Sequence, residues 1–548
     1  MILVGTNSST PTLENFKNEG FIKGEIGIGG TQGFTGTITV GTFENKNGGT
    51  IDGGIYIPAS QNGTISIENF SNTGTIKGGN YQGVYFQGDK VHLGTFENTG
   101  FISGSGDNST NGRFLTGGGV SMSGGTIEAF KNSGTIESTG KEHNPAGVKL
   151  TFATVKTFEN TSTISGTIGV ITTQGTIGNF INKGIIASTS GAAIQIQTSP
   201  NDPSTITHFT NEGIIKSASD GVWIESGNKI GTLTNKGTIE SKSNGIGFYD
   251  DGPGASPDNA DLGKIVLESG SSIKAQKKGI NIDHQTTRNI KVGGIEVQKG
   301  ASVVGREAGI YLGESKEITA PITISGTVSG GNAGIVNEGK MARGITHEGE
   351  GDLVILSRGL VGKDDKGNTV TNNSGSVTIK DWVVTTNEEG KLDTVRIGGT
   401  KTDDVKVNSI TVDQSGVDLN ELNDIKNIIS GVSTDNIADS VKTNGGGEIS
   451  LSFDPLSGRL STDVQLNASI AGASFRSSLA TASRRATFID NVMANAMQSF
   501  SLGSDKAQKI ALSEKGNLYA DASDYIKNDS IKNDLTQANY GSNKEHAL

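Results

Sequence analysis

Several residue types and patterns are scarce or missing in this chain of 548 residues. It has no cysteine, only nine prolines and an aromatic content of 5%. The absence of cysteine excludes disulfide bonds and suits a chain that crosses an oxidising compartment unfolded. No run of about 18 apolar residues occurs, so the sequence predicts no transmembrane helix.

Recognised catalytic and ligand-binding motifs are also missing. The net charge is −11, with acids and bases interspersed, so nucleic acid is not expected as a partner. The six histidines are scattered without an i, i+4 pair, and no protease motif, hydrolase elbow or phosphate-binding loop occurs. We therefore expect no cofactor, no metal site and, in the main interpretation, no enzymatic activity.

Glycine is abundant, with 81 residues, and much of it belongs to a repeated phrase. The phrase reads Phe-x-Asn-x-Gly-x-Ile and recurs about 27 residues apart, a period typical of solenoids. It starts at Phe16 and continues to Leu233, and later segments keep the spacing without asparagine. Three complete copies are Phe70, Asn72, Gly74, Ile76; Phe96, Asn98, Gly100, Ile102; and Phe130, Asn132, Gly134, Ile136.

The repeat unit contains three short apolar pieces. Two are the entry to the phrase and its Gly-x-Ile exit, and the third is a strand with alternating residues, as at 83–86 and 221–224. Period-two alternation indicates half-buried strands, and units this short exclude propeller blades. The sequence therefore predicts an all-β fold, a right-handed parallel β-helix with three short strands per coil and about twelve coils between residues 13 and 340.

The phrase has an architectural interpretation. Phe and Ile are expected to point inward and stack on their counterparts in adjacent coils. Asn is expected at the turn, where it tolerates left-handed backbone and where stacked amides form a ladder. Gly is expected to supply a positive φ. The phrase thus predicts a structure and says little about chemistry.

The sequence changes character after Asp352. Longer strands are predicted at 352–356, 374–379, 382–384, 395–397, 410–412, 448–453 and 463–466, with a further strand at 517–525. Helices are predicted at 419–429 and, most clearly, at 476–500, which includes RRATFIDNVMANAM.

A long cysteine-free β-helix, a strand-rich cap with a tryptophan, a long helix and an aromatic strand together resemble a classical autotransporter of type V secretion. The resemblance is to the large family that also includes the vacuolating cytotoxins. It implies a β-helix passenger over 1–340, a cap or autochaperone-like region over 341–470, a linker helix over 471–503 and the start of a truncated β-barrel translocator over 504–548. It also implies the bacterial cell surface or outer membrane, or secretion after cleavage, with outer-membrane assembly machinery as a partner of the full-length protein.

The ends of the chain do not match a complete autotransporter. The first residues have no basic region and only four consecutive apolar residues, unlike a signal peptide, and no capping unit precedes the repeat. At most two barrel strands are present, whereas a barrel needs at least eight. We therefore expect a fragment of a longer protein or the product of a split reading frame.

One set of residues suggests chemistry. An acid ends the third strand of four successive coils, and stacking would put these acids in one column with separations that suit glycosidases or cation binding. Charges beside exposed strands also serve simply to keep edges soluble. Aromatic residues on the same strands either stack on sugars or pack under a loop. The acids are Glu225, Asp250, Asp283 and Glu314, and the aromatics are Tyr85, Trp223, Tyr249 and Tyr311.

The main interpretation is a non-enzymatic, surface-displayed adhesin that binds the host-cell surface or the passengers of sister cells. A second hypothesis is a carbohydrate-active enzyme, a glycoside hydrolase or lyase, that uses the acidic column. A third is a secreted vacuolating or pore-forming toxin, against which the lack of long apolar stretches counts. The sequence names no receptor.

Overall fold

Each copy of the phrase forms two strands that meet at a corner, and a third strand completes the coil. Equivalent strands of neighbouring coils pair in parallel and in register. The protein is a right-handed parallel β-helix of about 14 turns with three strands per coil, which confirms the predicted fold class.

This computed structural model describes residues 2–5, 10–31, 33–106, 117–141, 145–198, 203–225, 227–249, 260–283, 290–386, 389–413, 417, 424–444, 448–450, 452–453, 460–461 and 464–465. The predicted helix at 476–500, the strand at 517–525, and the segments 471–503 and 504–548 lie outside these residues. No helix in the described part of the chain is long and apolar enough to span a membrane.

The first sheet contains the Phe-x-Asn part of each coil. After Leu267 each coil contributes two shorter strands to it, because Gly293 and Gly294 and their counterparts interrupt the run. Its strands are Thr12–Asn18, Thr37–Asn45, Thr64–Asn72, Val91–Asn98, Thr126–Asn132, Thr154–Asn160, Thr176–Asn182, Thr205–Asn211, Lys229–Asn235, Ala260–Leu267, Ile290–Val292, Ile295–Val297, Glu317–Ile318, Ile322–Ile324, Lys340–Met341, Ile345–His347, Leu360–Val361, Val370–Asn372 and Val395–Gly398.

The second sheet contains the Gly-x-Ile exit and follows the first after a corner. In most of its strands one aliphatic residue points inward between two outward-facing residues, as the burial of Ile51 and Ile76 shows. Its strands are Phe21–Lys23, Thr50–Asp52, Thr75–Lys77, Phe101–Gly104, Thr135–Ser138, Thr163–Gly166, Ile185–Ser188, Ile214–Ser217, Thr238–Ser241, Ser272–Ala275, Ser302–Gly305 and Thr327–Gly330.

The third sheet contains the alternating strand of each coil. Its strands are Ile2–Gly5, Ile26–Gly30, Ile55–Pro58, Val84–Gln87, Gly117–Ser123, Ala146–Thr151, Ile168–Thr173, Ile194–Gln197, Val222–Glu225, Ile246–Tyr249, Lys278–Ile282, Ala308–Leu312, Ala333–Asn337, Asp352–Ser357 and Ser376–Val384. The last of these is one strand where the sequence predicts two, at 374–379 and 382–384.

The chain divides into two compact units, of which the first comprises residues 1–381, 396–406 and 431–436. Parallel pairing within this unit continues past residue 340, where His347 pairs with Asn372. The predicted domain boundaries remain predictions.

The second unit comprises 382–395, 407–430 and the residues from 437 onward. Trp382 pairs with Ile410 in parallel, and antiparallel pairing begins at Ser440 and Ser450. The remaining short elements of the region after 400 are Val405–Val407, Ile410–Val412, Ile429–Ser430, Ser440–Thr443, Glu448–Ser450, Ser452–Phe453, Leu460–Ser461, Val464–Gln465, and the 3-10 turns Thr402–Asp404 and Thr434–Asn436.

The helix predicted at 419–429 can be compared with the structure only from Asp424 onward, because 419–423 lie outside the described residues. A single turn, Ile425–Ile428, is helical, with the Asp424 carboxylate accepting a hydrogen bond from the Lys426 amide at its start. Ile429 then begins a strand. The described helix thus ends one residue before the predicted end, and the β-branched Ile428 and Ile429 favour the extended backbone that follows.

The inward phenylalanines form a continuous stack through the coils. Seven successive ring pairs from Phe16 to Phe209 have centroids 4.5 to 5.0 Å apart and are parallel within 19°. This spacing equals the separation of hydrogen-bonded strands, about 4.8 Å. Each buried ring contributes roughly 1.5–3 kcal/mol by leaving water, so the stack is a main source of stability.

The glycine of the phrase serves a purpose different from the one predicted. Gly74, Gly100 and Gly134 do not have a positive φ, and neither do the asparagines of the phrase. A Cβ at Gly100 or Gly134 would instead lie 2.1 Å from the carbonyl oxygen of the glycine one coil earlier. The expected left-handed turn is therefore wrong, and close approach of stacked backbones is what requires glycine here.

We expect Gly134→Ala to destabilise the β-helix by about 1–3 kcal/mol, because the new methyl group has to displace the Gly100 carbonyl. Gly20→Ala is the matched control, since Gly20 holds the same place in the first copy of the phrase with nothing within 4 Å. Urea unfolding followed by circular dichroism measures both. Equal midpoints for the two variants would contradict the steric explanation.

Candidate functional site

The corner asparagines form a hydrogen-bonded ladder. Each lies at the end of a first-sheet strand and is buried, and each except the last, Asn235, donates from Nδ2 to Oδ1 of the asparagine in the next coil at 2.7–2.8 Å. All eight bonds run in the same direction along the chain. The members are Asn18, Asn45, Asn72, Asn98, Asn132, Asn160, Asn182, Asn211 and Asn235.

The same amides also support the turn that follows each strand. Nδ2 of Asn72 lies 3.3 Å from the carbonyl oxygen of Gly74, and Nδ2 of Asn132 lies 3.0 Å from that of Gly134. A buried amide that satisfies its donors in this way adds stability and fixes the register of neighbouring coils. The contacts of the ladder are therefore with the β-helix itself, and they give the asparagines a structural role.

The column of the ladder continues in register with other residues. Asn235 pairs with Leu267, which is followed by Val297 and Ile324, and these apolar residues confirm that the later segments keep the spacing. Polar residues then return with His347 and Asn372. Leu267, Val297 and Ile324 form an aliphatic interval in this column. They fill the corner by apolar packing, whereas the asparagines fill it by hydrogen bonding.

His347 is the one titratable residue in this column. It is buried, and its Nε2 donates to the carbonyl oxygen of Gly351 at 2.9 Å. Burial lowers the pKa of the His347 imidazole, while the carbonyl oxygens of Gly351 and Ile324 and the charge of Asp352 act in the opposite direction. The folded protein therefore favours the neutral ring.

A second corner carries the same arrangement and is not part of the series found by sequence. Asn337 ends a third-sheet strand, is buried, and donates to the Ser357 hydroxyl at 3.0 Å, while the Gly339 amide donates to its Oδ1. The signal was present, because Asn337, Gly339 and Met341 have the spacing of the phrase. It was missed because Ile335 stands in place of phenylalanine.

Of the first two acidic candidates, the structure describes Glu225, which lies beside an aromatic residue of the next coil. Glu225 is buried, and its Oε2 accepts a hydrogen bond from the Thr198 amide at 3.1 Å. Glu225 pairs in register with Tyr249, one residue before Asp250. Asp250 itself lies outside the described residues. The expected column of adjacent acids is thus interrupted by an aromatic residue.

The other two candidates are offset from each other. Ile282 pairs with Leu312, so Gly313 follows beside Asp283 and exposed Glu314 comes one position later. The Asp283 carboxylate lies 4.0 Å from the Lys278 ammonium. The offset arises because successive third strands end at different points before their loops.

The aromatic residues of the third sheet contact partners within the chain. Tyr85 is buried, and the rings of Trp223 and Tyr249 stack with centroids 4.0 Å apart. The Tyr249 hydroxyl accepts a hydrogen bond from Asn244 at 2.9 Å. Burial, with the nearby charge of Asp220, raises the pKa of Tyr249, so its hydroxyl keeps its proton.

A neighbouring network surrounds Tyr311. The Lys278 ammonium lies 3.4 Å from the centre of the Tyr311 ring, and the Tyr311 hydroxyl donates to the Glu338 carboxylate. Burial lowers the pKa of Lys278, against the opposing charges of Asp283, Glu307 and Glu338. Burial and the hydrogen bond to Glu338 raise the pKa of Tyr311. These side chains hold one another in place through cation–π and charge-assisted contacts.

No three His, Asp or Glu side chains among the described residues are grouped as a metal site requires. A depression of about 460 Å³ lies on the first sheet where its strands are interrupted, lined by Gly263, Gly293, Gly294, Ala320 and Pro321 among others. Lys264 and Glu296 form an ion pair at its rim. It is shallow and carries no converging set of reactive groups.

Comparison of the chain with protein-family models, with curated proteins and with solved structures finds no match.

We expect Asn98→Leu to cost about 1–3 kcal/mol of unfolding free energy, because it removes an acceptor from Asn72 and a donor to Asn132. Asn235→Leu is the matched control, since Asn235 ends the ladder beside Leu267 and takes part in one ladder bond, from Asn211, while both asparagines also donate to two backbone carbonyl oxygens. Urea unfolding of both variants measures the difference. Equal losses of unfolding free energy in the two variants would show that the asparagine–asparagine bonds between coils add nothing to the local contacts of each asparagine.

The β-helix is expected to lose stability as the pH falls below about 6.5, the ordinary pKa of histidine, because the unfolded chain then binds a proton that folded His347 resists. The contribution is complete above that pH. His347→Asn removes this dependence and places an amide beside Asn372. Unfolding free energies of both proteins at about pH 7.5 and about pH 5.5 test this. An unchanged difference between the two pH values in the variant would contradict it.

Proposed function

We propose that this chain is the β-helix passenger of an autotransporter and works as a non-enzymatic adhesin displayed on a bacterial surface. The observation that carries the proposal is the in-register stack of about 14 coils, which builds long, regular outer faces. An adhesin needs extended contact surface and no converging catalytic groups. The freedom from cysteine and the strand-rich region after residue 352 support the assignment to this secretion class.

The outer face of the first sheet is the surface that suits contact with another cell. One outward column runs through Thr126, Thr154, Thr176 and Thr205 in register, and it begins with Thr12 and Thr39 in the first coils. These residues are exposed or half-buried. Ser66 and His92 lie between Thr39 and Thr126 in this column, and Lys229 follows Thr205. Hydroxyl groups repeated at about 4.8 Å therefore offer hydrogen bonds over the four successive coils from Thr126 to Thr205.

The third sheet is less suited to this role. Its outward residues include Tyr85, Ser121 and Ile171, which are only 4, 5 and 4% exposed. The polar face of the first sheet therefore offers more accessible contact area. Partners of this chemistry are a polar host-cell surface or the passenger of a sister cell, and assembly machinery of the outer membrane is the proposed partner of the full-length protein.

The alternative of a carbohydrate-active enzyme has less support. The buried Glu225 carboxylate accepts a hydrogen bond from the Thr198 amide, and the Glu338 carboxylate accepts one from the Tyr311 hydroxyl. Both groups are engaged by the chain itself. No observation on the described residues favours the pore-forming alternative.

Beads coated with the purified chain are expected to attach to epithelial cells in a saturable way. A variant with Thr126→Lys, Thr154→Lys and Thr176→Lys is expected to attach several-fold less, because bulky charges break up the hydroxyl column. The control variant carries three lysines on the third sheet instead, Thr151→Lys, Thr173→Lys and Gln197→Lys, at half-buried positions that also stack in register. Attachment no better than that of uncoated beads would overturn the adhesin proposal, and full attachment of the first variant would remove the role of this face.

A further inference from the structure

The outer face of the second sheet has an unusual share of exposed apolar side chains. Among the described residues, six large apolar side chains are counted as exposed, and four of them lie on this sheet. They are Phe21 at 66%, Ile185 at 40%, Ile214 at 41% and Val304 at 38%. Threonine and serine occupy most of the remaining outward positions before the buried residue of each strand. The face is thus flat, β-branched and partly apolar.

In five of the coils, charged residues border this face on both sides. One border, the corner column, consists of the residues that directly follow the ladder asparagines and Leu267, which continues their column. The other, the rim column, consists of the outward residues that follow the buried aliphatic residue of each second-sheet strand. In the first two coils the corner residues are Glu19 and Lys46, and the rim residues are Lys23 and Asp52. Each of these two coils therefore carries one charge of each sign.

The same relation returns farther along the chain. Glu212 and Lys216, Lys236 and Glu240, and Glu268 and Lys274 occupy the corner and the rim of three successive coils. In every coil where both borders are charged as far as Lys274, the two signs are opposite. Opposite signs at corner and rim thus occur in two charged stretches, one near each end of the sheet.

The existing contacts leave these charges available. Lys236 lies 4.0 Å from Glu212 and 3.5 Å from Glu268, and these exposed pairs add little stability. No ion pair within 4 Å joins Lys216, Glu240 and Lys274 in the part of the chain that the structure describes, although they are neighbours in register.

A two-fold axis parallel to the stack of coils makes this pattern self-complementary. Such an axis brings two copies face to face in the same direction and puts the corner column of one opposite the rim column of the other. Glu212 then meets Lys216 of a second copy, and Lys236 meets Glu240. In an antiparallel arrangement, each column instead faces the same column of the second copy running in the opposite direction. The corner and rim charges of one coil then no longer meet.

The area is sufficient for a stable pair. Strands of three or four residues are about 10–13 Å wide, and twelve of them at about 4.8 Å cover roughly 600 Å². The two charged borders bring the contact to around the 800 Å² per partner of a standard interface. Phe21, Ile185 and Ile214 lie between the borders, while Val304 lies in the rim column itself. Charges occur at the edge, as in protein interfaces generally.

We propose that the outer face of the second sheet binds a second copy of this chain, side by side, parallel and in register. The apolar and β-branched residues supply the affinity, and the charged borders set direction and register. The proposal deepens the adhesin function, since it names one partner of the displayed passenger, but its geometry does not depend on that function.

The first test is the oligomeric state of the purified full chain, measured by sedimentation. A concentration-dependent dimer is expected, and Ile185→Asp combined with Ile214→Asp is expected to weaken it at least tenfold. Leu360→Asp is the matched control, because Leu360 is 48% exposed on the first sheet. A chain that stays monomeric, or a dimer that the double variant leaves intact, would overturn the proposal.

The second test uses charge reversal to read direction. Lys216→Glu with Glu240→Lys is expected to weaken the dimer, because both rim charges then face like charges of the corner. Adding Glu212→Lys and Lys236→Glu restores the opposite signs and is expected to restore the dimer. A fourfold variant that stays as weak as the double variant would rule out parallel register. Circular dichroism of each variant checks that the β-helix is intact.

The two proposals fail separately. A monomeric chain whose coated beads still attach to cells would overturn the paired face and leave the adhesin. A parallel dimer whose beads do not attach would overturn the adhesin and leave the paired face.

Discussion

The in-register hydrogen bonding between neighbouring coils is the constraint on which the rest depends. It sets one repeat distance, about 4.8 Å, and every side chain at a given position then meets its own counterpart. Phenylalanine rings at this spacing stack, asparagine amides bond, and glycine backbones come close enough to exclude a Cβ. One distance therefore accounts for all three conserved elements of the phrase within this chain.

The same constraint acts on the outside of the coils. Outward residues also form columns, so any bias in composition becomes a stripe along the stack. Threonine gives the first sheet a polar face, isolated Phe and Ile residues give the second sheet an apolar one, and alternating charges line its borders. A solenoid can thus carry different binding faces without any change in its interior.

Much of the fold is readable from the sequence because the repeat states its own register. The stacking of Phe70, Phe96 and Phe130 and the amide contacts of Asn72, Asn98 and Asn132 follow from it. Composition does not reveal why glycine is required, since positive φ and close approach call for the same residue. The acids were placed less well, because loops of different length change where each third strand ends, and a shift of one residue separates Glu314 from Asp283.

The aliphatic interval in the corner column has a consequence for how disturbances spread. Hydrogen bonds that share a direction polarise one another, so the asparagines up to Asn235 behave as one coupled chain of dipoles. Leu267, Val297 and Ile324 transmit no such polarisation. Protonation of His347 therefore has no path of side-chain hydrogen bonds along this corner to the asparagines, and the backbone pairing between coils is what connects the two stretches.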